Sequence, residues 1–318
     1  MDRRPHPLTV TELIHDFRAW AEGYYRSLEG EPTGEIHAIR DALRPLASLF
    51  GRTLAAEFGP RKLVALRDAM IEKDLSRGLI NRRVNIVKRL FKWAAERELA
   101  PASVHHGLQA VSGLRPGRSR AREAPPVEPV AESDVRAVLP HVPPPVRAMI
   151  EIQLLTGMRP GEAVILRPCD VDRARSPWIY SPSRHKTRHL GHARRIPLGP
   201  RAQSILSPFL EGRAPDAFAF SPREARARET PGRFDYERAP RERYDVDSYR
   251  RAISLGAKRA GVPHWHPNRL RHTAATRLRE RYGIEAAAAI LGHRIVETTQ
   301  IYAETDAALA ARIMGEIG

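Results

Sequence analysis

At 318 residues the chain is long enough for two domains, each with its own core, and its one cysteine, Cys169, excludes an internal disulfide framework or a cysteine-cluster zinc site. Its 53 Lys and Arg against 37 Asp and Glu give a net charge of +16, which favours a polyanionic partner, nucleic acid above all. Charged residues through the first twenty positions argue against a signal peptide, no apolar run reaches the ~18 residues of a membrane span, and a cytoplasmic protein is expected.

Exchange of Lys for Arg, as in a GC-rich genome, creates no net charge, so the basic excess stands on its own. Cys169 reads as a small core residue. Residues 1–114 read as a helical domain. Leu13, Phe17, Trp20 and Tyr24 form one apolar stripe behind the candidate caps Thr9 and Thr11. Leu43, Leu46 and Leu49-Phe50 make a second stripe, and Leu63, Leu66 and Met70 a third.

The fourth helix is the most informative. Between Arg77 and Arg97 stand seven basic side chains, Arg77, Arg82, Arg83, Lys88, Arg89, Lys92 and Arg97, against one acid, Glu96. Ile80, Val84, Val87, Leu90, Phe91 and Ala94 share one face at helical spacing, which puts the bases on the other. A basic face is often just solvated. Here the acids that would balance it are missing from the helix, so Arg82, Arg83, Lys88, Arg89 and Lys92 are expected to meet a nucleic-acid backbone.

Residues 115–130 change character. Arg115, Arg118, Arg120 and Arg122 are followed by Pro125, Pro126 and Pro129, the composition of an extended linker. It is either a plain soluble connection or a strap that tracks a phosphate backbone.

A second domain spans residues 131–318. Ser133 and Asp134 are expected to cap a short helix, and Pro143 to Pro145 to start a longer one that carries Val146, Met149 and Ile150 and ends at Gly157. Pro160 suits the first position of the next helix, because that position leaves its N–H unpaired anyway. Arg159 is then held at a helix N-terminus, which favours an anion, and Glu162 can orient its guanidinium.

The run 177–199 reads as a β-hairpin, with Ile179-Tyr180 and Arg195 to Leu198 as its strands. Lys186 falls in or near the connection, among Arg184, His185, Arg188 and His189. A lysine on a hairpin tip is usually a solubility feature, but with no acid nearby this one fits a finger laid against DNA, with Arg184 and Arg188 as further contacts. No carboxylate or thiol accompanies the histidines, so no metal is expected. Residues 202–210 read as a helix and 217–220 as a buried strand. Seven Arg and five acids between Ser221 and Tyr244 nearly cancel, as in a mobile surface insertion. Val246 to Ala260 reads as a helix with Tyr249, Ile253 and Ala257 on one face.

The stretch 266–304 follows. Pro267 and Gly283 bracket one helix, a second runs from about Ile284 to Gly292-His293, and Tyr302 stands nine residues after His293. Two cationic or protonatable groups, Arg271 and His293, and a phenol brought together in this way suggest chemistry on a phosphate. Singly, Arg159 is a plain helix-start arginine, His293 a satisfied cap and Tyr302 a core tyrosine.

Together they carry a resemblance. TGMRPGE around Arg159, HKT around Lys186, LRHTAAT around Arg271, LGH at His293 and TTQIYAE at Tyr302 resemble the tyrosine recombinases of the phage-integrase family, in that family's order over residues 131–304. The resemblance implies a mainly α fold: an N-terminal helical core-binding (SAM-like) domain, and an α-rich catalytic domain with a small antiparallel β-sheet. It implies a site-specific DNA recombinase acting on double-stranded DNA without cofactor, monomeric or dimeric alone and homotetrameric on synapsed DNA.

The chemistry is consistent with the residues. Arg159 and Arg271 can clamp the non-bridging oxygens bidentately, as lysine cannot. Tyr302 is the expected nucleophile, His293 a phosphate hydrogen bonder or proton manager, and Lys186, by resemblance, the acid that protonates the departing 5′-oxygen. The product is a covalent 3′-phosphotyrosyl intermediate that a second 5′-hydroxyl can reverse.

One position departs from the family. Where its second box usually has His-x-x-Arg, this chain has Asn268, which can donate a hydrogen bond to phosphate but cannot carry a proton. The slipped reading, His266 with Arg269, breaks the Leu-Arg-His-Thr register. A catalytically impaired DNA-binding regulator on the same fold is therefore the alternative function, with a type IB topoisomerase third. After Tyr302, Leu309, Ile313 and Ile317 recur every four residues, an apolar stripe that packs either on its own domain or on a neighbouring protomer.

Overall fold

The computed structural model describes residues 7–27, 30–185, 193–224 and 241–292. The chain divides into two compact units, 1–126 and 127–318.

Unit 1 is helical: α1 (Val10–Tyr24), α2 (Glu35–Phe50), α3 (Pro60–Glu72), α4 (Arg77–Glu96) and α5 (Ala102–Gln109). Thr9 caps α1. Its hydroxyl accepts from the Glu12 amide at 3.3 Å and the Glu12 carboxylate accepts from the Thr9 amide at 2.8 Å, so two otherwise orphaned donors are satisfied reciprocally. Leu13, Phe17, Leu43, Leu46, Leu63, Leu66 and Met70 are buried, as are the α4 residues Ile80, Val84, Val87, Leu90, Phe91 and Ala94. Two predicted stripe members lie at the surface, although Phe50 at the end of the second stripe packs against the core. Tyr24 and Leu49, each in the last turn of its helix, are exposed, and Tyr24 stacks on Trp20 at 4.5 Å between centroids.

The Arg-rich stretch begins as part of unit 1. The Arg77 amide donates to the Arg122 carbonyl at 2.8 Å, and the Arg77 and Arg122 side chains pair with Glu123 and Asp74.

Unit 2 contains α6 (Glu132–Val138), α7 (Pro144–Thr156), α8 (Pro160–Ala163), β1 (Val171–Asp172), β2 (Trp178–Tyr180), β3 (Ile196–Leu198), α9 (Pro200–Leu210), α10 (Val246–Ala260) and α11 (Asn268–Leu291). The strands form an antiparallel sheet in the order β1-β2-β3, with Tyr180 opposite both Val171 and Ile196. Helix α7 packs against α9 and α11, and its Val146, Met149 and Ile150 share one core with Tyr180, Ile196, Leu198, Tyr249, Ile253 and Leu270. α11 is broken at Gly283 (φ 82°, ψ 172°), the predicted helix stop, and ends at Gly292 in the left-handed region. Among the described residues no helix is long and apolar enough to cross a membrane.

Three expectations need correction. Residues 217–220 are not a strand: Ala219 and Phe220 are buried, but the Ala219 amide makes a single bond to the Leu166 carbonyl at 2.8 Å, so the segment fills the core without joining a ladder. Cys169 is exposed, in a one-turn 3-10 helix whose backbone is tied to the Pro215 carbonyl. Ala131 occupies the cap of α6, which puts Ser133 and Asp134 inside its first turn.

Residues 128–130 are fastened to α11. Arg269 donates from Nε to the Glu128 carbonyl at 2.7 Å and from Nη2 to the Pro129 carbonyl at 2.9 Å. The Thr273 hydroxyl accepts from the Val130 amide at 2.9 Å. These two side chains straddle Arg271.

Candidate active site

The site is built around the turn between α7 and α8. Gly157 ends α7 at φ 64°, where a side chain would be strained, and a Cβ there would meet Leu291 Cδ2 at 2.5 Å. The next residue is held from the core: the Gln153 side chain donates to the Met158 carbonyl at 2.9 Å and accepts from the Tyr249 hydroxyl at 2.8 Å. All three groups are buried, and burial pushes the Tyr249 phenol well above its ordinary value.

Arg159 follows in extended conformation (φ −74°, ψ 151°), with Pro160 opening α8 behind it. The Glu162 carboxylate accepts from the Arg159 amide at 2.7 Å and from its Nη1 at 2.9 Å. Glu162 is 2% exposed and Arg159 29%, so a buried carboxylate steers a partly open guanidinium. The sheet fixes the backbone of this helix as well, because the Tyr180 hydroxyl donates to the Glu162 carbonyl at 2.6 Å.

Arg271, from α11, reaches the same turn. It is 4% exposed and donates from Nη1 to the Gly157 carbonyl at 2.6 Å and from Nη2 to the Leu291 carbonyl at 2.9 Å. One guanidinium thus joins a residue two before Arg159 to a residue two before His293. Arg269, the arginine of the slipped register, serves residues 128–130 instead.

Asn268 is exposed on the first turn of α11, with its side-chain nitrogen 3.4 Å from His272 Nε2. Burial, then Arg271 and Arg269, hold the His272 imidazole below its ordinary value, and burial, Arg250 and His264 do the same for His266. Lys186, Arg188, His293 and Tyr302 lie outside the described residues.

An open pocket of about 440 Å³ lies over Arg159, lined by Glu162, Arg184, His185, Arg243 and Asp245 among others. Arg243 was read as part of a charge-balanced insertion, and no sequence signal marks it. Arg194, also missed, sits beside Glu162 with 7% of its side chain exposed. The signal for it was present: 194, 196 and 198 alternate as buried positions with 193, 195 and 197 exposed.

On α4 the acids missing from the helix are supplied by other elements, which corrects the reading that nothing balances this face. Glu35 of α2 pairs with Arg89 at 2.6 Å and with Arg82 at 3.5 Å. Lys88 donates to the Val111 carbonyl at 2.7 Å, and burial lowers its ammonium pKa. Arg89 also lies over the Tyr25 ring at 5.1 Å. Lys92 is exposed beside Glu96, and Arg83 is half-buried.

Comparison with known proteins accords with this architecture. Residues 132–308 match the phage integrase family. The chain is 30% identical over 281 residues to the tyrosine recombinase XerC of Mycobacterium sp. (strain KMS), covering 84% of this chain and 87% of that protein. It is 27% identical over 312 residues to XerC of Corynebacterium efficiens, covering 94% and 88%. In fold it is similar to a lambda integrase dimer bound to a core site (TM-score 0.68, 12% identity, 94% of this chain and 96% of that one). The Tn1549 transposon integrase in complex with circular intermediate DNA gives a TM-score of 0.66 at 18% identity, covering 96% and 99%. The chain belongs to the phage integrase family and is a tyrosine recombinase.

Proposed function

We propose that Arg159, Lys186, Asn268, Arg271, His293 and Tyr302 form the active centre with which this site-specific recombinase cleaves and rejoins DNA strands. The observation that carries the reading is the double hydrogen bond of Arg271, to the carbonyls of Gly157 and Leu291. It gathers the turn of Arg159 and the helix end before His293 around one guanidinium.

In the reaction Tyr302 attacks the scissile phosphate. Arg159 and Arg271 neutralise the charge that gathers on the non-bridging oxygens, with Asn268 and His293 donating hydrogen bonds. Lys186 protonates the departing 5′-oxygen, leaving a 3′-phosphotyrosyl bond and a free 5′-hydroxyl. A free phenol titrates near ~10, so attack at neutral pH draws on this cationic setting. The bond energy is stored, and another 5′-hydroxyl reverses the step without ATP or metal.

Double-stranded DNA is the substrate, in keeping with the core-site and circular-intermediate DNA of the similar integrases. Residues 1–114 act as the core-binding domain and 115–130 as the linker. Arg82 and Lys92, whose side chains stay largely exposed beside their acids, are with Arg83 the α4 cations best suited to phosphate, whereas Lys88 and Arg89 are held more closely by internal partners; Arg184 and Arg188 add contacts from the hairpin. Exchange of four strands, one tyrosine each, calls for four copies on synapsed DNA.

The test selects a bound duplex from source-genome DNA and nicks it so that cleavage cannot reverse. Wild type is expected to yield a covalent adduct that Tyr302→Phe abolishes. Binding without any adduct would instead identify a regulator.

A further inference from the structure

We infer that Arg194 is a positioning residue, holding the helix end before His293 against the carboxylate that orients Arg159; the inference rests on the active-centre reading above.

Three contacts define it. Arg194 donates from Nη1 to the Ile290 carbonyl at 3.1 Å, and its Nε lies 3.6 Å from Glu162 Oε1. The same carboxylate oxygen accepts from Arg159 Nη1 at 2.9 Å. The third contact is steric: Gly292 ends α11 at φ +67°, and a Cβ there would lie 2.5 Å from Arg194 Nη1. The backbone angle favours glycine here, and the guanidinium lies close against it.

The location explains the chemistry. A helix leaves its last carbonyls without intrahelical partners, and the partial negative charge there favours cations. On α11 two guanidiniums take adjacent carbonyls, Arg194 that of Ile290 and Arg271 that of Leu291. The last described turn of α11, two positions ahead of His293 in sequence, is thus held by two arginines that also reach opposite ends of the 157–162 turn, Gly157 and Glu162.

A plain packing role does not account for this residue. Ile196 and Leu198 fill the same buried face of the strand, and an aliphatic side chain at 194 would continue it without burying a charge. Burial lowers the Arg194 pKa, Glu162 raises it and Arg159 lowers it again, which is the signature of a cation kept in a crowded site. Among the described residues, Nε and Nη2 have no hydrogen-bond partner. The side chain is not among those lining the pocket over Arg159, in keeping with action through Glu162 and the helix end.

The experiment is single-turnover cleavage of the selected nicked duplex by full-length protein. Arg194→Met should lower the maximal rate about 10²-fold, the scale of a displacement near 1 Å in a reacting group. Arg194→Lys should lower it less, roughly tenfold, because an ammonium keeps the charge but not the fork that spans both acceptors. Both variants should reach half-saturation within about twofold of the wild-type DNA concentration, since neither removes a DNA contact. Adding Glu162→Gln to Arg194→Met should cost no more than the larger single loss, because the two act as one unit.

Maximal rates at the wild-type level in both variants, or a rate loss matched by weaker half-saturation, overturn the inference. If Arg194→Met does not fold, the Lys variant decides: a wild-type rate overturns the inference, and a roughly tenfold loss with unchanged melting supports it. A wild type without a Tyr302-dependent adduct overturns the active-centre reading and this inference with it. A wild-type adduct alongside unaffected Arg194 variants overturns this inference alone.

Discussion

Arg271 and Gly157 lie 114 positions apart and are joined by a 2.6 Å hydrogen bond from guanidinium to carbonyl. The bond has this geometry because the glycine turns the backbone through the left-handed region while Leu291 packs directly against its Cα. Gly157→Ala is therefore expected to lower unfolding free energy by about 1–3 kcal/mol, through backbone strain and overpacking. Urea denaturation measures it, and an unchanged midpoint would show that the turn relaxes freely.

The buried relay from Tyr249 through Gln153 to the Met158 carbonyl makes a second prediction. Gln153→Leu strands a hydroxyl and a carbonyl away from water, and should cost about 2–5 kcal/mol. In that background Tyr249→Phe should cost less than it does alone, since its partner is already gone. Equal costs of Tyr249→Phe in both backgrounds would mean that the relay is not coupled.

The helical framework and this turn were legible in the sequence for definite reasons. Apolar residues at helical spacing marked the buried faces of α1 to α4 and α10, and the Gly157, Arg159, Pro160 and Glu162 pattern dictates a helix end, a helix start and a local ion pair. Contacts between distant segments were not legible. Glu35 reaches Arg89 across 54 positions, and no local spacing reports that. Arg194 was hidden because arginine is ordinarily read as surface, even where strand alternation turns it inward. The supposed strand 217–220 failed because apolar residues show burial without showing a ladder partner.

A third prediction concerns pH. His272 is held below its ordinary value by burial and then by Arg271 and Arg269. The unfolded chain takes up this proton near pH ~6.5, while the folded chain takes it up only at lower pH. The unfolded state therefore binds more protons in the window just below ~6.5, so stability is full above that pH and falls as pH drops through it. His266 contributes with the same sign. Thermal melting at about pH 7.5 and about pH 5.5 should show a smaller difference in His272→Gln than in wild type; an equal difference would remove His272 from the account.

Asn268→His gives the fourth. The new imidazole stands on the exposed first turn of α11 beside His272 and adds a group that can carry a proton, which asparagine lacks. Adduct formation on the nicked duplex should stay equal or rise. A drop to background would place the second box in a different register.

Residues 128–130, gripped by Arg269 and Thr273, also set where the protein can be dissected. A fragment cut at Glu132, where α6 begins, would strip from α11 the Glu128 and Pro129 carbonyls and both backbone polar groups of Val130, on either side of Arg271, and open the place filled by buried Val130. One cut at Val127 keeps them. The shortest sound C-terminal piece thus begins several residues ahead of its first helix.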